Sequence, residues 1–225
     1  GYGIQRLGYH GASHSYVAET LIDMYGSTGK AISCHLGGSG SLCAIDDGKS
    51  VDTSFGISLQ VGVIQSNRCG DIDPFIVPFL QKEGLSLDQV LDGLTKRGGL
   101  LGISGVSNDL RDVQEAADAG NERARLAIDV FCNGIVRHIG AYYAELGGLD
   151  HLVFTGGIGE HGTRIREAVC HQLKHMGILL DDEKNQSCTG ANTVISCTDS
   201  PVTIHVIPAN EELGVARKTF AYLRA

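Results

Sequence analysis

The sequence predicts an α/β fold in which helices flank a mixed sheet. Three observations predict it. The first is the stretch 151–160, where the apolar run His151, Leu152, Val153, Phe154, Thr155 breaks into Gly156, Gly157 and Gly159. An amphipathic stretch, 164–176, follows directly. The run reads as a buried strand, the glycines as a tight turn and the rest as a helix. The second is a three-stranded antiparallel meander, 31–36, 41–46 and 49–54, turned at Asp46-Asp47-Gly48. The third is the order of elements: the meander, then helices, then strand–helix twice, an order that belongs to a layered α/β domain.

Composition narrows the function classes. The chain has 225 residues, 42% hydrophobic and 20% charged, which is enough for a sizeable core. Net charge is −8 and no basic block occurs, which argues against a nucleic-acid partner. No apolar run reaches the roughly 18 residues of a membrane span. No signal-peptide pattern opens the sequence, so a cytoplasmic location is expected. The seven cysteines are scattered singly without a Cys-x-x-Cys pair, so neither a disulfide framework nor a zinc site is suggested.

The remaining elements follow from local signals. Ser13 is placed to cap a helix running to Tyr25, with Val17, Leu21 and Met24 inward. Pro74, capped by Asp73, opens a helix to Lys82. A second short helix, 87–96, follows Ser86. Residues 98–105 read as a glycine-punctuated loop, and 109–119 as helix. The longest helix is 121–146, with Leu126, Val130, Ile135, Ile139 and Tyr142 approximating one face, ended by Gly147-Gly148. Residues 181–192 read as polar turn, and 193–196 and 203–207 as short strands. Asn210 caps a last helix with Glu211 and Glu212 in its first turn. Tyr142 and Tyr143 read as helix-face packing.

Six short motifs, taken in order, carry a resemblance. They are Tyr9-His10-Gly11-Ala12-Ser13-His14, His35-Leu36-Gly37, Arg68-Cys69-Gly70-Asp71-Ile72-Asp73-Pro74, Gly102-Ile103-Ser104-Gly105-Val106-Ser107, Phe154-Thr155-Gly156-Gly157-Ile158-Gly159-Glu160 and Ile207-Pro208-Ala209-Asn210-Glu211-Glu212. In this order the chain resembles the acetate kinase family, short-chain acyl kinases of the sugar kinase and actin superfamily, from Tyr9 to about Arg217. The resemblance implies a ribonuclease H-like (actin-like ATPase) lobe, with 1–209 as the C-terminal nucleotide-binding lobe and 210–225 as a helix packing back on a first lobe. It implies transfer of a phosphoryl group between ATP and a short carboxylate to give an acyl phosphate.

The resemblance also implies roles for particular residues. His10 and Arg68 match the transition-state donors, for which an imidazole and a guanidinium fork are suited. His35, Leu36, Gly37, Gly38 and Ser39 match the phosphate-contacting turn. Asp109, Leu110 and Arg111 match adenosine contacts, and Gly157, Ile158, Gly159, Glu160 and His161 match the second nucleotide turn. Glu211 matches a carboxylate associated with Mg²⁺. ATP or ADP, Mg²⁺, a small carboxylate or acyl phosphate and a second copy of the chain are the implied cofactors and partners. Read without the family, His10 is a structural histidine, Arg68 pairs with Asp71 or Asp73, Asp109 starts a helix and Glu211 serves a helix dipole. Asp71 and Asp73 read as cap and arginine partners rather than an acid/base pair.

Three departures from the family pattern stand out. The family has an N-terminal lobe ahead of the point where this sequence begins, carrying a phosphate loop, a magnesium-binding asparagine, a substrate arginine and the catalytic aspartate. Turnover is therefore expected to need that lobe. The phosphate turn has Gly38 and Ser39 where the family has Asn-Gly. On the acyl side Leu59 replaces a pocket-wall proline, Tyr9 replaces phenylalanine, and Gln65, Ser66 and Asn67 add polar groups ahead of Arg68. Such changes alter which acid fits. A non-catalytic nucleotide-binding or assembly module is the alternative, and a sugar or glycerol kinase a weaker one.

Overall fold

The computed structural model describes residues 1–224, save the side chains of Lys218 and Ala221; Ala225, the last residue of the expected segment 210–225, lies outside the described residues. The described chain forms two compact units. One comprises residues 1–7, 38–40 and 54–138. The other comprises, among the described residues, 8–37, 41–53 and 139–224.

The second unit holds the sheet. Helix α1 (Gly11–Tyr25) is followed by β1 (Lys30–Leu36), β2 (Gly40–Asp46) and β3 (Lys49–Thr53). Then, after the helices of the first unit, come β4 (His151–Thr155), β5 (Thr193–Val194) and β6 (Thr203–Val206). The strand order is β3-β2-β1-β4-β6-β5. β1 pairs parallel with β4, and β4 with β6, while β2–β3 and β5–β6 are antiparallel. This mixed sheet flanked by helices is the ribonuclease H-like lobe expected of the sequence.

Register decides what each face carries. Ala31 pairs with His151 and Ser33 with Val153, while His151 pairs with Thr203 and Val153 with His205. Side chains alternate along a strand, so odd-numbered residues of β1, β4 and β6 share one face. That face meets α1: Val17, Ala18 and Leu21 pack with Ala31, Cys43, Ile45, Val153 and Ile207. The even-numbered Ile32, Cys34, Leu152, Phe154 and Ile204 are fully buried from the opposite face.

Helices α7 (Gly156–His161), α8 (Thr163–Gln172) and α9 (Asp182–Ser187), the 3₁₀ turn Lys174–Met176 and α10 (Glu211–Tyr222) complete this unit. Two expectations are corrected here. Gly156 takes φ +76°, but the residues after it form a short helix rather than an open turn. Asp181 accepts from Lys184 N at 3.1 Å and caps α9, where only polar turn was expected. Asn210 Oδ1 accepts from Leu213 N at 3.1 Å, which is the expected cap. α10 lies against α1, with Gly214 beside Tyr16 and Arg217 near Glu19 and Asp23.

The first unit contains α2 (Ile76–Lys82), α3 (Leu87–Lys96), α4 (Gly99–Ser104), α5 (Leu110–Asp118) and the start of α6 (Glu122–Leu146). α2 begins two residues after Pro74, although Asp73 Oδ1 does accept from Phe75 N at 2.9 Å. Ser86 and Gln89 form a capping box on α3. The expected loop 98–105 is instead α4. It is made possible by Gly99 at φ +59°, where a Cβ would lie 2.0 Å from the Gln65 carbonyl oxygen. On α6, Leu126 is exposed; the buried face is Ala124, Ala127, Phe131, Ile135, Ile139, Tyr142 and Leu146. Among the described residues all seven cysteines are free, and no helix is long and apolar enough to cross a membrane.

A buried histidine pair spans β4 and β6: His151 Nδ1 lies 3.1 Å from His205 Nε2, under the Tyr25 ring. Burial, then the neighbouring His151, lowers His205 to about 4. Burial lowers His151 as well. An unfolded histidine titrates near 6.5, so above about pH 7 neither state binds the protons. Below that the unfolded chain binds protons that the folded chain refuses, and stability falls with pH. The unfolding free energy from urea titration should therefore drop from about pH 7 to about pH 5, by up to about 1.4 kcal/mol per pH unit from His205, with His151 acting in the same direction. His205→Gln should make the profile shallower without abolishing it, since the buried His14 has the same sign. A wild-type stability unchanged over this window, or a slope unaltered by His205→Gln, would refute the assignment.

Candidate functional site

The second unit gathers histidines where β1 and β2 meet α1. His10 is the residue before α1, at φ 57°, a left-handed conformation that is uncommon for a side-chain-bearing residue. Ser13, expected to cap α1, sits inside it instead and bonds His35 Nδ1 at 2.8 Å. His10 stacks on His35 with ring centroids 4.2 Å apart. Its Nδ1 lies 2.9 Å from Ser41 Oγ. His14, buried behind them, bonds Ser41 Oγ through Nε2 and Ser33 Oγ through Nδ1, both at 2.9 Å. Burial, then His35 and His10, lowers His14 to about 3, so it is a neutral imidazole at physiological pH. Burial lowers His35 too.

The same unit carries the second glycine motif. Gly156 approaches β1 so closely that a Cβ would lie 2.7 Å from the Leu36 carbonyl oxygen. Leu36 itself is fully buried, so its side chain packs in the core. Gly157 and His161 are exposed, Ile158 and Glu160 half-buried and Gly159 buried. Glu160 Oε1 accepts from Ala209 N at 2.9 Å. Its carboxylate thus fastens α7 to the segment leading into Glu211, which stands exposed in the first turn of α10. Thr155, the last residue of β4, keeps a buried hydroxyl without a hydrogen-bond partner.

Arg166 is the largest fully buried side chain. Its guanidinium donates to the Gly159 and Glu160 carbonyls at 2.8 and 2.7 Å and to Asn185 Oδ1 and O at 2.7 and 3.1 Å. The last turn of α7 presents carbonyls without helical partners, and a cation there is favourable. Burial lowers the Arg166 pKa without removing its charge.

In the first unit the turn residue Ser39 meets Arg68. Arg68 Nη1 donates to Ser39 Oγ at 3.1 Å and to Gln65 Oε1 at 2.9 Å, and Ser39 Oγ donates to Gln65 Oε1 at 2.8 Å. Gln65, almost fully buried, also donates to the Leu59 carbonyl at 2.8 Å. The expected pairing of Arg68 with Asp71 or Asp73 is corrected. Asp71 Oδ1 accepts from Gly62 N at 2.7 Å, and Asp73 accepts from Phe75 N. Gly38 is exposed and its carbonyl accepts from Ser66 N at 3.3 Å.

Also in this unit, Asp109 caps α5 through Arg111 N at 2.9 Å and forms an ion pair with the Arg111 guanidinium. Hydrogen bonds from Arg111 hold the Asp109 carboxyl at about 2. Leu110 is buried, so only its neighbours present side chains outward.

Sequence reasoning missed Gln65 as a bridge, and missed His14, Ser33, Ser41 and Arg166. Ser33 and Ser41 could have been found as polar residues at inward positions of apolar strands. Arg166 leaves no such trace in an amphipathic stretch.

For a metal, Glu211 offers one hard oxygen donor, which suits Mg²⁺ held otherwise by water and phosphate oxygens. Another cluster among the described residues, Glu167, His171 and Asp182, is accounted for by the His171–Asp182 pair at 3.0 Å.

Comparison with known proteins fixes the family. The family model described as Acetokinase family matches residues 1–217. Acetate kinase of Dictyoglomus thermophilum is 50% identical over 222 residues, 97% of this chain and 55% of that protein. Propionate kinase of Citrobacter rodentium is 50% identical over 220 residues, 96% of this chain and 54% of that protein. The crystal structure of Porphyromonas gingivalis acetate kinase matches with a TM-score of 0.94 at 40% identity, covering 98% of this chain and 56% of that one. The chain thus spans about half the length of the curated relatives it matches. With matched sequence and matched fold running through both units, the chain belongs to the acetokinase family.

Proposed function

We propose that this chain acts as the nucleotide-binding lobe of an ATP-dependent carboxylate kinase that forms an acyl phosphate, in cooperation with a first lobe. The observation that carries this reading is the Arg68 guanidinium, held by Ser39 and Gln65 rather than neutralised by a carboxylate. A guanidinium fixed by neutral partners keeps its full charge for a phosphoryl group.

In the proposed reaction a carboxylate oxygen attacks the γ-phosphorus in line. The new O–P bond forms as the bond to the β–γ bridging oxygen breaks, and ADP leaves with that electron pair. Negative charge spreads over the three equatorial oxygens, so catalysis is positioning and charge compensation. Arg68 and His10 are each proposed, from the resemblance, as a hydrogen-bond donor to a phosphoryl oxygen. Ser39 and the turn 37–39 approach the phosphates, while Asp109 and Arg111 hold the adenosine. Glu211 would help to hold Mg²⁺, which would supply charge neutralisation at the phosphates. The acid is left as a short carboxylate, because both acetate and propionate kinases are among the relatives.

An alternative reading as a nucleotide-binding or assembly module draws on Gly38 and Ser39 in the phosphate turn. A homodimer is part of the proposal. It is supported by the exposed apolar side chains of Phe75, at the entrance to α2, Phe79 on α2, and Leu87 and Leu91 on α3, since exposed apolar surface, where contiguous, marks interfaces.

Three outcomes are expected. Calorimetric titration of the chain with Mg²⁺ and ADP should show saturable binding, weakened by Asp109→Asn, which keeps a capping oxygen but loses the charge pair with Arg111. Absence of binding in the folded chain would count against the nucleotide role. With the first lobe of a relative supplied, hydroxylamine trapping should detect acyl phosphate, and Arg68→Ala or His10→Ala should lower kcat about 10²–10³-fold. No acyl phosphate with any short acid would remove the kinase reading. In sedimentation the chain should be a dimer, which Phe79→Glu dissociates; a monomeric wild type would remove the dimer.

A further inference from the structure

The proposed reaction asks His10 to donate a hydrogen bond to a phosphoryl oxygen, but says nothing of which ring nitrogen carries the proton. We propose that Ser41, His14 and Ser33 form a hydrogen-bonded relay that sets the tautomer of His10, with Ser41 and His14 as positioning residues. The inference rests on the reading of His10 given above.

The relay is continuous. Ser33 Oγ meets His14 Nδ1, His14 Nε2 meets Ser41 Oγ, and Ser41 Oγ meets His10 Nδ1, each at 2.9 Å. Ser33 and Ser41 are fully buried and His14 nearly so. Each of the three bonds needs one hydrogen, and each serine hydroxyl supplies one. His14, neutral in its buried setting, supplies one more.

Counting hydrogens leaves two states. In one, His14 carries its proton on Nδ1 and donates to Ser33. Ser41 must then donate to His14 Nε2, and the third bond exists only if His10 Nδ1 is protonated. In the other, Ser33 donates to His14 Nδ1, His14 Nε2–H donates to Ser41, and Ser41 donates to His10 Nδ1. A neutral His10 then carries its proton on Nε2, where it can donate to a phosphoryl oxygen. The position of one proton on His14 therefore decides the position of one proton on His10. The second state serves a neutral His10. The first serves an imidazolium or the neutral Nδ1–H tautomer, which has no proton on Nε2 to donate. The proposed role of a neutral His10 therefore needs the second state, and a proton taken up on Nδ1 is matched by reversal of the whole chain. Cooperative polarisation favours all bonds running one way.

The rest of the pocket holds the ring in place while the relay orients its protons. The stack on His35, itself bonded to Ser13, limits ring rotation, and the left-handed backbone of His10 fixes where the side chain departs. Strain of this kind persists only when its surroundings over-determine it.

The test reads the tautomer directly. Long-range ¹H–¹⁵N spectra of the ¹⁵N-histidine-labelled chain are recorded at about pH 8, with the His10 signals assigned by their loss in His10→Gln. The wild type should show His10 as a single Nε2–H tautomer. Ser41→Ala should give a mixture, and Ser41→Thr should restore the single form. Ser33→Ala is the decisive variant, because Ser33 lies two bonds up the relay and its removal should also mix the His10 tautomers. With the first lobe supplied, Ser41→Ala should lower kcat roughly 10- to 100-fold with little change in the KM for nucleotide. An Nδ1–H tautomer of His10 in the wild type overturns the relay, as does a tautomer indifferent to both Ser33→Ala and Ser41→Ala. If Ser41→Ala fails to fold, Ser33→Ala and the wild-type tautomer decide. The spectra need no turnover, so a correct tautomer without kinase activity would sink the proposed function and leave the relay standing.

Discussion

The parallel register of β1 on β4 is the constraint on which the second unit depends. With Ala31 opposite His151 and Ser33 opposite Val153, the odd-numbered positions of neighbouring strands fall on one face. A slip of one residue in β1 would turn Ala31 outward from α1 and drive Ser33 and His35 into the opposite core. The same register brings the end of β1 beside the end of β4. Gly156 then approaches Leu36 so closely that no side chain fits. His35 and Thr155, opposite each other in this register, are therefore placed at the carboxyl end of that face, and this end is where ligand sites of such sheets form.

Much of this fold was legible because local chemistry and tertiary packing agree. The meander is marked by Asp47-Gly48, both at positive φ, in a two-residue turn. Helix α3 is announced by Ser86 and Gln89, and α5 by Asp109, each of which caps as its residue type suggests. Errors arose where one signal had two meanings. Glycine at 99 and 156 supplies a positive φ at the entrance to a helix, whereas in sequence it reads as a break. Ser13 has the residue type of a cap but lies one turn inside α1, because His10 begins that helix and His35 claims the hydroxyl. Leu126 fits a helical period yet faces outward, since alanines at 124 and 127 form the close-packed side of α6.

The candidate site divides the same way. Individual motif residues could be named because short polar signals punctuate apolar runs. Their support could not, because Gln65, Ser41, His14 and Arg166 act through neighbours distant in sequence. Gln65, read from the sequence as a departure on the acyl side, contacts Ser39, read as a departure in the proposed phosphate turn. The two departures are therefore one structural unit. A side-chain amide accepts from both Ser39 and Arg68 and donates to Leu59. Removing it would leave Arg68 with a single hydroxyl to hold it.

Two arginines show how placement decides use. Arg166 is fully enclosed and its guanidinium is spent on the carbonyls of Gly159 and Glu160 and on Asn185. These partners are dipoles, so the charge is solvated by the end of α7 and by an amide, and the short helix gains a fixed cation. Truncating Arg166 would take its donors away from the Gly159, Glu160 and Asn185 carbonyls, a cost of about 1–3 kcal/mol for each buried group left unsatisfied. Arg68 is only half-buried and held through one nitrogen, Nη1, by two neutral oxygens. Such a hold fixes direction without neutralising charge. A carboxylate in the same place would have given a tighter pair and a weaker site for an anion, and Asp71, three residues away in sequence, is kept from that role by its bond to Gly62 N.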